Sequence, residues 1–172
     1  MRSVTPSFAA TGFTLIELVI TLALVGLLAM VALPLYEVTQ TRLKEMELRQ
    51  ALRTIRSGLD AYKAASDSGA LPKAAGESGF PPFLDVLTQP LDITVKRDFN
   101  IGLGSSAPKR IVILRQLPRD PFFPDPQVPA AETWNTRAYA SRPDDPQPGN
   151  DVFDVSSKSE RTGLDGTAYN TW

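Results

Sequence analysis

Residues Phe13 to Tyr36 read FTLIELVITLALVGLLAMVALPLY, a long apolar run. It carries one charge, Glu17. From Leu18 to Leu35 there are eighteen consecutive uncharged residues. At that length a membrane-crossing helix becomes the preferred reading. As a helix the stretch extends about 36 Å, at ~1.5 Å per residue, against ~30 Å of hydrocarbon. The bland alternative is a buried core helix, but a domain this small rarely hides a helix that is apolar all round. A cleaved secretory signal needs a basic start, a short apolar core and a small-residue cut site after it. Here only Arg2 is basic ahead of the run, the run is longer, and a carboxylate stands near its beginning.

Beyond Tyr36 the helical pattern continues with a different character. Leu48, Leu52, Ile55, Leu59 and Tyr62 recur at spacings of 4, 3, 4 and 3, one apolar stripe on a helix. Charged residues populate the other faces, and Glu45 with Arg49 is a favourable i,i+4 pair. Gly58 weakens the helix by ~1 kcal/mol without ending it. Ser66-Asp67-Ser68-Gly69, with Pro72 beyond, is the stop. One helix is therefore expected from about Phe13 to about Ala65, apolar all round in its first half and amphipathic in its second. Gly26 and Pro34 interrupt the apolar half; membrane helices tolerate both. Pro34 removes one backbone donor and is expected to kink or locally melt the helix near Met30–Leu33.

Of the fifteen prolines, thirteen lie after Leu71, so long helices end there. Pro81–Leu87 is expected as a short helix with proline at its start. Ile111–Leu114 and Asp151–Val155 read as strands, and Thr136–Ala140 as a third. Pro118–Pro121, Pro124–Pro126 and Pro143–Pro146 are turns. The expected fold is α+β: a long N-terminal helix packed on a small antiparallel β-sheet with long loops. The organisation is 1–12 as a leader, 13–36 as the membrane helix, 37–66 as its amphipathic continuation and 67–172 as the globular region. Such a sheet buries too little alone, and the helix stripe supplies the other half of the core.

Composition narrows the chemistry. The chain has 172 residues, 42% apolar and 22% charged, with 18 Lys+Arg against 19 Asp+Glu. Near-balanced charge argues against binding nucleic acid by bulk electrostatics. Cys and His are both absent. That removes disulfides, thiol nucleophiles, His general bases and the usual zinc, haem and iron–sulfur ligand sets.

Glu17 is the anomaly. A carboxylate in a bilayer costs ~2.5–3.5 kcal/mol at the centre and less near an edge. No Lys or Arg lies within reach along the same helix. A free α-amino group is a suitable partner if the chain is cut before Phe13, and Gly12-Phe13 is a sterically open bond. These residues, Gly12-Phe13-Thr14-Leu15-Ile16-Glu17-Leu18, resemble the cleavage and methylation motif of type IV prepilins and type II secretion pseudopilins. The offsets of Gly26 and Pro34 also match that family. The resemblance implies that a prepilin peptidase cuts after Gly12 and methylates Phe13. It implies that Glu17 neutralises the amine of an adjoining subunit, and that Pro34 marks where the helix unwinds in filaments. Thr11 departs from the Lys or Arg usual before the glycine.

Leu117–Phe122, Trp134 and Asp151–Ser157 resemble the C-terminal region of major, G-type pseudopilins. In those, a loop after the penultimate strand often binds calcium. By position that loop is Ser156 to Asp165, with Asp154 and Asp165 as candidate ligands and Glu160 nearby. Lys158 stands where an acid is usual. No cofactor is otherwise required.

Other constellations give little. Gly102–Ser106 lacks the Gly-Lys-Ser/Thr of a phosphate loop. Asp144 with Asp145, and Asp151 with Asp154, sit where acids cap amides or face water. Trp134 and Tyr139 are expected to pack the sheet. Phe122 and Phe123 read equally as loop anchors or as a contact patch. No catalytic residue is assigned, and an enzyme is not expected. The resemblance implies a type II secretion pseudopilin in the bacterial inner membrane, single-pass, with its C-terminal domain in the periplasm. Its implied partners are copies of itself, other pseudopilins, the prepilin peptidase and the inner-membrane assembly platform. The alternatives are a minor pilin of a type IV pilus, serving adhesion, motility or DNA uptake, and a membrane-anchored enzyme.

Overall fold

The helix expected from the apolar run and the stripe behind it forms as one element. In the computed structural model, which describes residues 12–93 and 109–172, α1 spans Leu15–Asp67 without a break. The chain divides into two compact units, Met1–Thr41 and Arg42–Trp172, and α1 contributes to both.

In the first unit α1 is bare. Its large apolar residues are all exposed, from Val38 at 39% to Leu15 at 83%. It is the one helix among the described residues that is long and apolar enough to cross a membrane. Thr14 starts it: the Thr14 hydroxyl accepts the Glu17 N–H at 3.3 Å and the Thr14 carbonyl accepts the Leu18 N–H at 3.2 Å. This is an N-cap, with the acidic Glu17 in the first turn where the helix dipole favours it. Thr21, Thr39 and Thr41 turn their hydroxyls back onto the carbonyls of Leu18, Leu35 and Glu37, at 2.9, 2.8 and 3.0 Å. Hydroxyls satisfied in this way add no unpaired polar group to an apolar setting. The helix continues through Pro34, so the expected local melting is not seen. A single missing donor leaves the bonds on either side intact.

In the second unit the stripe is buried as read. Leu48, Leu52, Ile55 and Leu59 are each at most 3% exposed, and Tyr62 packs against them. They meet Leu84 and Leu87 from a 3-10 turn, Leu84–Thr88, together with Leu117, Trp134, Val152, Val155 and Tyr169. The helix stops where Gly69 takes φ +74, a left-handed conformation that glycine adopts without a Cβ clash. Ala70 and Leu71 then both donate to the Ala65 carbonyl, at 2.9 and 3.1 Å.

The strands are shorter than expected and form two antiparallel ribbons instead of one sheet. β1 (Leu91–Ile93) pairs with β2 (Lys109–Ile111), Leu91 opposite Ile111. β3 (Trp134–Arg137) pairs with β4 (Asp154–Ser157), Trp134 opposite Ser157. The Ile111–Leu114 run keeps only Ile111 in a strand, because Leu114 donates instead to the Leu87 carbonyl at 2.8 Å. The strand expected at Asp151–Val155 begins three residues later. Val152 donates to Pro81 and Phe153 to Arg137, each at 2.8 Å. The proline-rich Leu117–Thr133 passage lacks the donors to bridge the ribbons, and it crosses the core as loop and 3-10 turn.

Gly58 has a packing reason. A Cβ there meets the Leu114 side chain at 3.1 Å, so the missing side chain admits Leu114 against the helix.

A two-stranded ribbon is marginal alone in water, and the stripe supplies the core on which β3 and β4 close. Ile55→Ala should therefore lower the stability of the full chain in detergent by about 2–5 kcal/mol. Leu24→Ala, on the exposed half, should leave the unfolding midpoint unchanged. Equal effects from the two variants in a denaturant melt would contradict this division.

Candidate functional site

The N-terminal motif lies at the capped end of α1. Gly12 and Phe13 precede the helix, both exposed, and a Cβ on Gly12 would meet nothing within 4 Å. Glu17 lies one turn into the helix, exposed, and its carboxylate makes no ion pair among the described residues. Pro34 lies seventeen residues further on, inside the same helix. Arg2, Thr11 and the glycine-rich Gly102–Ser106 run lie outside the described residues.

The second cluster, missed from the sequence, pins the C-terminal segment to α1. Glu45 is 7% exposed and does not pair with Arg49. Its Oε1 accepts the Leu164 N–H at 2.7 Å and the Tyr169 hydroxyl at 3.0 Å. Glu45 continues the apolar stripe one step before Leu48, and that spacing was the available signal. Arg49 instead reaches Asp165 at 3.0 Å and lies 4.2 Å over the Trp172 ring. Gly163 makes the approach possible: a Cβ there would stand 3.0 Å from Glu45, Tyr169 and Trp172 alike. Burial and the Glu45 carboxylate push the Tyr169 hydroxyl up to about 12. Hydrogen bonds from Thr167, with Arg49 nearby, hold Asp165 below its ordinary range.

The two calcium candidates stand in separate ion pairs. Asp154 accepts from Arg56 at 2.8 Å and faces Arg137 at 3.8 Å. Asp165 is held by Arg49 and Thr167. The Lys158 ammonium donates to the Glu132 carbonyl at 2.8 Å. Each candidate therefore already has an arginine partner in this structure. Among the described residues, no group of three or more metal-ligating acids or imidazoles is present.

A buried polar knot fixes the loops over the core. Asp120, 1% exposed, accepts the Ser157 hydroxyl at 2.5 Å and the Phe122 N–H at 2.8 Å. Phe122 stacks on Tyr169 at 4.1 Å, so it is a loop anchor. Trp134 is core, as expected, and its indole N–H donates to Pro118 at 3.0 Å. Tyr139 does not pack the sheet: it is 60% exposed, beside Phe80 and Phe153. Asp151 accepts the Tyr139 N–H and Asp144 pairs with Arg142.

Comparison of the chain with protein-family models, with curated proteins and with solved structures finds no match.

Tyr169 gives the latch an alkaline limit. Its folded value lies above the ordinary 10.0, so its contribution is complete below pH 10 and is lost as pH rises through about 12. Tyr169→Phe should cost about 1 kcal/mol at pH 7 and flatten stability above pH 10. Glu45→Ala leaves two donors unpaired and should cost about 2 kcal/mol or more. Melting curves from pH 7 to 12 check both, and a Tyr169→Phe chain with the wild-type alkaline loss would exclude the assignment.

Proposed function

We propose that this chain is a pseudopilin of a type II secretion system, cleaved at Gly12–Phe13 by a prepilin peptidase. It is held in the bacterial inner membrane by α1, with its C-terminal unit in the periplasm, and it assembles with its own kind into a short pseudopilus. One observation carries the reading: the Gly12–Leu18 motif opens directly onto a capped helix whose first half is apolar all round and exposed among the described residues.

The chemistry follows from two moves. An apolar helix leaving lipid for a bundle gains little hydrophobic energy, since lipid is already apolar, and gains close packing instead. A carboxylate at Glu17 then meets the amine of a neighbouring Phe13. In a medium of low dielectric that attraction is strong, and it sets the register of the incoming subunit. A processed chain thus carries both halves of the pair, an amine at its start and an anion four residues on.

Intact-mass measurement on membrane-extracted protein should show a chain beginning at an N-methylated Phe13. Glu17→Val should insert and be cleaved normally, yet fail to assemble and reduce secretion. A retained Met1, or wild-type secretion by the Glu17→Val variant, would count against the assignment.

A further inference from the structure

Four arginines lie on one strip of the second unit's helix. At ~100° per residue, Arg42, Arg49, Arg53 and Arg56 fall within an arc of about 60° and extend over about 21 Å. The strip lies about a quarter turn from the buried stripe; Arg42, Arg49 and Arg53 are exposed, Arg56 is half-buried, and Asp60 continues the same line one turn further on. Arg49, Arg53 and Arg56, with Leu52, Asp165 and Trp172, line an open recess of about 330 Å³. Two of these arginines already hold one acid each: Arg49 holds Asp165 and Arg56 holds Asp154. Arg53 pairs with no acid among the described residues, and its guanidinium donates only to Gln50, at 2.9 Å. Arg56 is also bonded to the Val155 carbonyl and the Trp172 main-chain oxygen, so Arg53 is the guanidinium of the recess left without an acid among the described residues.

We infer that this recess accepts a carboxylate-bearing segment of a second copy of the chain, with Arg53 as its main anchor. The inference rests on the pseudopilin reading for bringing copies side by side. The recess is too open to enclose a small anion, whereas the strip is long enough to track a segment of chain. Arg42 lies seven residues past Leu35 and the others further along, so a lipid headgroup layer at the end of the span reaches at most the first of the four. A second copy also brings exposed acids with no cationic partner among the described residues, Asp145 in the Pro143–Pro146 turn and Glu47 among them. A recess on one copy filled by a different patch of the next is a head-to-tail contact. Repeated without closure, it extends a filament.

The test uses the full chain with its assembly machinery. Arg53→Glu should reduce the assembled fraction about tenfold, and Arg53→Lys should stay within about twofold of wild type. Arg53 is exposed and its side chain hydrogen-bonds only Gln50 among the described residues, so neither variant removes a core contact. The chain has no cysteine, so Ser57→Cys, one turn beyond Arg53, takes a thiol-directed photocrosslinker at a single position. Crosslinks to an acidic segment of another copy support the inference. Crosslinks only to lipid or to other proteins, or full assembly by Arg53→Glu, overturn it. If Arg53→Glu assembles while Glu17→Val does not, this contact fails and the pseudopilin reading survives. If the wild-type chain itself never assembles, both fall.

Discussion

The apolar stripe of α1 is the constraint on which the second unit depends. Two separate two-stranded ribbons have no sheet interior between them, and each is marginal alone. Leu48, Leu52, Ile55 and Leu59 are the rail on which Trp134 and Val155 of the β3–β4 ribbon close with Tyr169, while the β1–β2 ribbon is tied in by its flanks, Leu87 before it and Leu114 after it. The same helix has no rail of its own further back, where every large side chain is exposed. One continuous element thus lives in two environments. Its threonines are bonded to their own backbone in the half that lacks cover, and its charges are spread around the stripe in the half that has it.

Polar contacts do the finer positioning. Glu45 and Asp120 are buried acids of similar use, each accepting one main-chain N–H and one hydroxyl from a distant segment. Such groups stabilise modestly when matched and cost more when a partner is removed. They select one arrangement of proline-rich loops that have few backbone donors with which to fix themselves. Arg56 adds a third tie, binding Asp154, the Val155 carbonyl at 3.0 Å and the Trp172 main-chain oxygen at 2.7 Å. The guanidinium fork suits this because it offers several donors in one plane.

The long helix and its buried face were legible because a period of 3.6 leaves a repeated mark over many turns. The ribbons were not, because strands of three or four residues leave almost no period to read. Leu91–Ile93 was missed outright, and the Asp151 run was misplaced by the competing Pro81 and Arg137 carbonyls, which no local rule reveals. At the N-terminal motif the residue order was the signal, and the structure adds the Thr14 cap and an open Gly12. Glu45 was misread as a surface pair because its charge outweighed its position on the stripe. Asp120 and Ser157 lie 37 positions apart and carried no mark of their meeting.

The pairing of β1 with β2 also says where the chain tolerates novelty. Ile93 and Lys109 lie directly opposite each other, so the residues joining them leave from and return to one anchored point. Lengthening a connection between fixed, adjacent ends costs only about 0.6 kcal/mol per doubling. Residues added between Ile93 and Lys109 thus meet a small closure cost, because the ribbon holds both ends in place.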